Sequence, residues 1–175
     1  DGLLQEINKE NIPNLIQMDD AYLDLEIDPG NKYSVPYMFG TVGLVYNKDV
    51  VKEEVNSWDI LWNENYKNKI FMFDTYRDTM GAALKKLGYS LNTQKPEEIE
   101  AAKQLLLEQR KLVNPIYGVD NGTTMIPAGE SDINMIWSGE GLNLQDEYPN
   151  LVYVVPEEGA NFWIDSLCIP KNAKN

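Results

Sequence analysis

The stretch "KIFMFDTYRDTMGAALKKLG", residues 69–88, joins a strand to a helix with almost nothing between them. "KIFMFD", residues 69–74, is an apolar run of strand length, which reads as a buried strand. A helix then starts near Thr75, with Met80, Ala83, Leu84 and Leu87 on an apolar stripe, Lys85 and Lys86 in its last turn and Gly88 to end it. A strand that feeds straight into a helix is half of an α/β unit. Sites in such folds gather at the carboxyl ends of strands, which here means Asp74 and the residues after it.

The same alternation extends both ways. Upstream, a short N-terminal helix is expected over "GLLQEI", and Asp28-Pro29-Gly30-Asn31 forms a turn. One or two strands follow from Tyr33 to Tyr46, and Ser57 caps a short amphipathic helix in "SWDILW". Downstream, "KPEEIEAAKQLLLEQRKLV" has Pro96 in its first turn, acids early, bases late, and a face of Ile99, Ala102 and Leu106. Beyond it come a strand at 116–119, a short helix at 121–128, a strand at 132–137, a helix from Gly139 and a strand at 151–156. "NFWIDSLCIP", residues 161–170, reads as a last, buried strand. No repeat, low-complexity tract or linker composition interrupts the middle of the chain, which reads as one compact domain.

The 175 residues carry 15 basic and 28 acidic side chains, a net charge of −13, which repels nucleic acid and anionic lipid and favours cationic partners. Histidine is absent, so histidine-activated nucleophiles, histidine zinc sites and histidine proton shuttles have no counterpart in this sequence. Neither Gly-rich phosphate-loop pattern occurs, which removes the usual basis for nucleotide chemistry. Cys168 is the single cysteine, and its neighbours Leu167 and Ile169 suggest a small core residue. No run approaches the roughly 18 apolar residues of a membrane span. The opening lacks the pattern of a signal peptide, and both ends read as an excerpt of something longer.

Three places combine acids or aromatics with a strand end. In "MFDTYRD", Asp74 or Thr75 would cap the helix and Asp78 would complement its dipole, or Asp78 would receive a cation. In "MIWSGEG", Trp137 either packs in the core or forms a ligand wall, with Glu140 supporting the next helix or adding negative charge. In "NFWIDS", Trp163 and Asp165 are two apart in a strand, so they share a face about 7 Å apart. A carboxylate in a buried strand needs compensation, since burying it unpaired costs several kcal/mol. Tryptophan walls with two or three acids would suit an aliphatic amine: rings cover methylenes and attract ammonium groups, and carboxylates pair with them.

At these residues the chain resembles the spermidine/putrescine-binding proteins of bacterial ABC-type polyamine importers. "IDPGNKYSVPYMFGTVGLVYN", "SWDILWNENYKNKIFMFDTYRD", "KKLGYSLNT", "MIWSGEG" and "FWIDSLCIPKNAKN" follow family segments in order, nearly end to end. The resemblance implies a periplasmic-binding-protein-like (type II) lobe of the α/β class, a mixed sheet flanked by helices, with a remnant of the first lobe. Residues 1–32 would be that remnant, 33–166 the central lobe with hinge-crossing strands, and 167–175 the strand returning to the first lobe. "KYSVPYMFG" and "SLCIP" would be the two crossing strands.

Carried over residue by residue, the resemblance makes Trp137 and Trp163 aromatic walls and Asp165 a partner of ligand nitrogen. Asp78 matches a glutamate position and so reaches less far. Thr75 stands where some members have a ligand-binding aspartate, and Glu140 is the acid placed to compensate. The implied function is a non-catalytic, extracytoplasmic and monomeric receptor, without cofactor or nucleic acid partner, that captures a linear polyamine between two lobes and delivers it to membrane permease subunits. Its rivals are a receptor of the same fold for another solute, a carboxylate-pair hydrolase using Asp78 with Asp165, and a structural domain whose tryptophans are all core.

Overall fold

Residues 2–174 are described in a computed structural model of the chain. The strands are β1 (Ser34–Asn47), β2 (Ile70–Phe73), β3 (Ile116–Gly118), β4 (Ile133–Trp137), β5 (Leu151–Val154) and β6 (Phe162–Cys168). The helices are α1 (Tyr76–Lys86), α2 (Pro96–Val113), α3 (Gly122–Met125) and α4 (Ser138–Glu147). The sheet runs β3-β2-β4-β1-β5, with β6 pairing β1 off this path. β2 is parallel to β3 and β4, whereas β1 is antiparallel to β4 and β5. Four strands therefore share one direction, and their carboxyl ends share one edge. The fold is the mixed α/β sheet flanked by helices that the sequence implied.

Alternation along the strands explains why both faces are covered. Leu44 and Met135 face a cluster with Leu61, Ala82 and Val113, whereas their neighbours Val45 and Ile136 face Ile126, Leu144 and Leu151. All four residues of β2 are buried, which accounts for its unbroken apolar run. Burying each such side chain contributes roughly 1.5–3 kcal/mol. On α2 Ala102 is buried as its spacing predicted, and Leu106 packs beside it, but Ile99 stays exposed.

The structure divides into two units, Asp1–Phe39 with Trp163–Asn175, and Gly40–Phe162. β1 and β6 each pass from one to the other, which lets β1 reach 14 residues, beyond the usual length of strands. The divide falls at 39/40 and 162/163, where the sequence placed lobe boundaries after residues 32 and 166. In the first unit the expected turn forms, with the Asn31 N–H donating to the Asp28 carbonyl at 2.9 Å. Burial opposes the Asp28 carboxylate, yet the Ser34 hydroxyl and the Tyr33 and Lys32 backbone N–H groups hold its pKa below the usual carboxylate value.

Four expectations are corrected. "GLLQEI" is not helical: Leu4 bridges Pro170 and the Gln5 N–H bonds the Ile169 carbonyl, so extended pairing takes the segment that a short helix could not hold alone. Only short 3-10 turns follow, at Lys9–Asn11, Pro13–Gln17 and Asp20–Tyr22. "SWDILW" is a 3-10 helix, Trp58–Trp62, rather than an α-helix, although Ser57 caps it as expected. β6 is not buried: Asp165 and the three residues after it are exposed, and Trp163 and Ile164 are half-buried. Cys168 is therefore a surface residue and not a core one.

Candidate functional site

The candidate site of the second unit lies where β2 hands over to α1. The Asp74 N–H donates to the Gly118 carbonyl at 2.8 Å, drawing together the carboxyl ends of β2 and β3. Thr75 takes the extended cap position but makes no side-chain cap bond. Its hydroxyl instead donates to Asp78 Oδ2 at 2.8 Å. Asp78 Oδ1 accepts from the Asn161 amide at 2.9 Å. Asp78 is buried at 9% exposure, and the Thr79 hydroxyl pins the same turn to the Phe73 carbonyl. Thr75 and Asp78 are thus joined directly, in place of the helix capping expected of Thr75.

β4 ends beside this junction. Trp137 pairs with Val42 across the sheet, is half-buried, and lies against Phe73 with ring centroids 4.5 Å apart and planes at 31°. Ser138 Oγ accepts the Thr41 N–H at 3.1 Å, tying the first turn of α4 to β1. Glu140 stands in that turn; its own burial, and then Asp120, push its pKa above the usual carboxylate value. Tyr117 on β3 is pushed up by burial, with Asp74 adding and Arg110 opposing. The carboxyl ends of β2, β3 and β4 therefore carry Asp74 and Asp78, Asp120, and Trp137 with Glu140 along one sheet edge.

Trp163 and Asp165 belong to the first unit, on β6. Trp163 keeps its indole Nε1 buried without a hydrogen-bond partner, and Asp165 is exposed. Being exposed, Asp165 needs none of the compensation that a buried carboxylate demands. The same unit carries a stacked aromatic pair, Tyr22 and Phe39, with centroids 4.6 Å apart. Among the described residues no group of three or more acids or cysteines is placed to hold a metal ion. Sequence reasoning missed Asn161 and Asp120. An asparagine before a strand and an aspartate in a loop carry no periodic signal, and only their distances and electrostatics reveal them.

The chain is 38% identical over 178 residues to the spermidine/putrescine-binding periplasmic protein of Salmonella typhimurium, matching all of this chain and 50% of that protein. It is 32% identical over 197 residues to the putrescine-binding periplasmic protein SpuD of Pseudomonas aeruginosa, matching 99% of this chain and 52% of that one. Among solved structures, a spermidine/putrescine ABC transporter substrate-binding protein of Streptococcus pneumoniae superimposes with a TM-score of 0.86 at 36% identity. That match covers 99% of this chain and 53% of the other. The chain spans about half the length of the curated relatives it matches. The family model described as bacterial extracellular solute-binding protein matches residues 1–175, and the chain belongs to that family.

Proposed function

We propose that the chain is the ligand-capturing part of a receptor for linear polyamines, spermidine or putrescine, that serves an ABC importer and hands its ligand to membrane permease subunits. The observation that carries this reading is the sheet edge on which half-buried Trp137 stands with Asp78, Asp74 and Glu140. A tryptophan face attracts ammonium groups and covers methylenes, and carboxylates supply charge-assisted bonds. Trp163 and Asp165 add a second aromatic and acid pair, and Thr75 acts through Asp78. No catalytic step is assigned to any of them. The receptor works outside the cytoplasmic membrane, as the periplasmic relatives do by name.

Titration with spermidine and with putrescine, followed by tryptophan emission and by heat, tests this. The expected result is saturable binding that weakens with added salt and is absent for a neutral diol of similar length. Equal responses to amine and diol would overturn it, because a charge-blind site has no use for these acids.

A further inference from the structure

The Asp78 carboxylate already has two protein donors, Thr75 on one oxygen and Asn161 on the other. A carboxylate offers about four acceptor positions, so each oxygen keeps one for a ligand ammonium. Asn161 is itself fixed, because its carbonyl accepts the Val42 N–H at 3.0 Å. It also lines, with Asp78, Lys85 and Gly81, a cavity of about 10 Å³, which is at most the room of one water. It stands directly before β6, two positions ahead of Trp163. One residue thus anchors the start of that strand through its backbone and orients a buried acid of α1 through its side chain.

We propose that Asn161 is a positioning residue of the amine site, holding the Asp78 carboxylate in a single orientation so that its free lone pairs are presented in a fixed direction. The proposal rests on the polyamine-receptor reading. An apolar side chain at 161 leaves Asp78 Oδ1 without its donor and the carboxylate free to turn, so the ligand must then order it at the cost of affinity. Aspartate at 161 would set two carboxylates against each other and abolish capture.

The test is calorimetric titration of the full chain and its N161L, D78N and N161L/D78N variants with spermidine and putrescine, with thermal unfolding of each. N161L should bind about tenfold more weakly, and the same change in the D78N background should matter less than about twofold, the non-additivity expected of two side chains in one bond. N161S, which keeps a hydroxyl donor, should fall between native and N161L, and it carries the test should N161L fail to fold. Native affinity in N161L and N161S, or an equal loss with and without Asp78, would overturn the positioning role while leaving the receptor reading intact. No saturable response from the native chain would remove the receptor reading itself, and the role of Asn161 with it.

Discussion

Asp165 is the residue whose exposure decides what its charge can do. An acid that stays solvated contributes under about 1 kcal/mol to pairing with a cation, whereas one covered by its partner contributes about 1.5–3 kcal/mol through a charge-assisted bond. Asp165 is exposed in the chain alone, and in the proposed receptor the ligand ammonium would cover it. Asp165→Asn is therefore expected to weaken polyamine binding by more than about tenfold, measured calorimetrically; a loss of a fewfold would leave Asp165 an ordinary surface acid. Glu140 adds a pH dependence of definite sign. Burial, then Asp120, raises its pKa above the reference value of 4.5. Amine capture should therefore fall with decreasing pH from a higher pH than an ordinary carboxylate gives, and Glu140→Gln should flatten that limb of the profile. For stability the raised folded-state pKa favours the folded chain below the unfolded value, and this contribution is lost as pH rises through the folded pKa. Trp137, Thr75 and Asp78 were legible because strand-to-helix junctions are readable from pattern. Asn161 was not, since nothing before folding tells that its amide will meet α1, and the exposure of Asp165 was hidden behind branched apolar neighbours.

At the scale of elements, the junction of β1, α4 and β5 depends on how closely Tyr153 can approach two glycines. A Cβ on Gly43 would lie 2.5 Å from both the Tyr153 hydroxyl and the Val154 carbonyl oxygen, and one on Gly141 would overlap the Tyr153 ring. The ring packs against both positions, and its hydroxyl bonds Thr41 Oγ1 at 3.0 Å while the Tyr153 N–H donates to Gln145. Gly141→Ala should destabilise the chain by about 1–3 kcal/mol, as overpacking of a tight core does, read as a lower urea midpoint with an unchanged slope. Near-native stability would mean that the ring can swing aside. The long elements, α1 and α2 and the apolar strands β2 and β4, were readable because length and apolar pattern coincide in them, although Leu87 and Ile99 of the two expected stripes stay exposed and neither helix gains a side-chain cap bond. "GLLQEI" and "SWDILW" misled, because six-residue segments lack the length to enforce a helix and tertiary pairing chooses for them.

At the scale of the whole molecule, burial is distributed very unevenly. Every buried apolar residue of the three core clusters, from Val42 to Leu151, lies within Gly40–Phe162. The other unit shows Ile16 and Ile27 at 89% exposure and Leu3 at 73%, and the 3-10 turns at Lys9–Asn11, Pro13–Gln17 and Asp20–Tyr22 bury no residue. Hydrophobic burial is the dominant favourable term in folding, so segments without it open at a small fraction of the global cost. Hydrogen exchange on this chain should therefore separate two populations. Amides of β2 and β4 should exchange only through global unfolding and share its denaturant dependence. Amides of residues 8–23 should exchange through local opening that denaturant hardly affects. Backbone pairing works against this where the Gln5 N–H bonds the Ile169 carbonyl and the Lys171 N–H the Leu3 carbonyl, which should give the Gln5 and Lys171 amides intermediate protection. Uniform protection across both units would mean that the first draws its stability from the core of the second, and that the chain folds as one cooperative body despite the concentration of its burial.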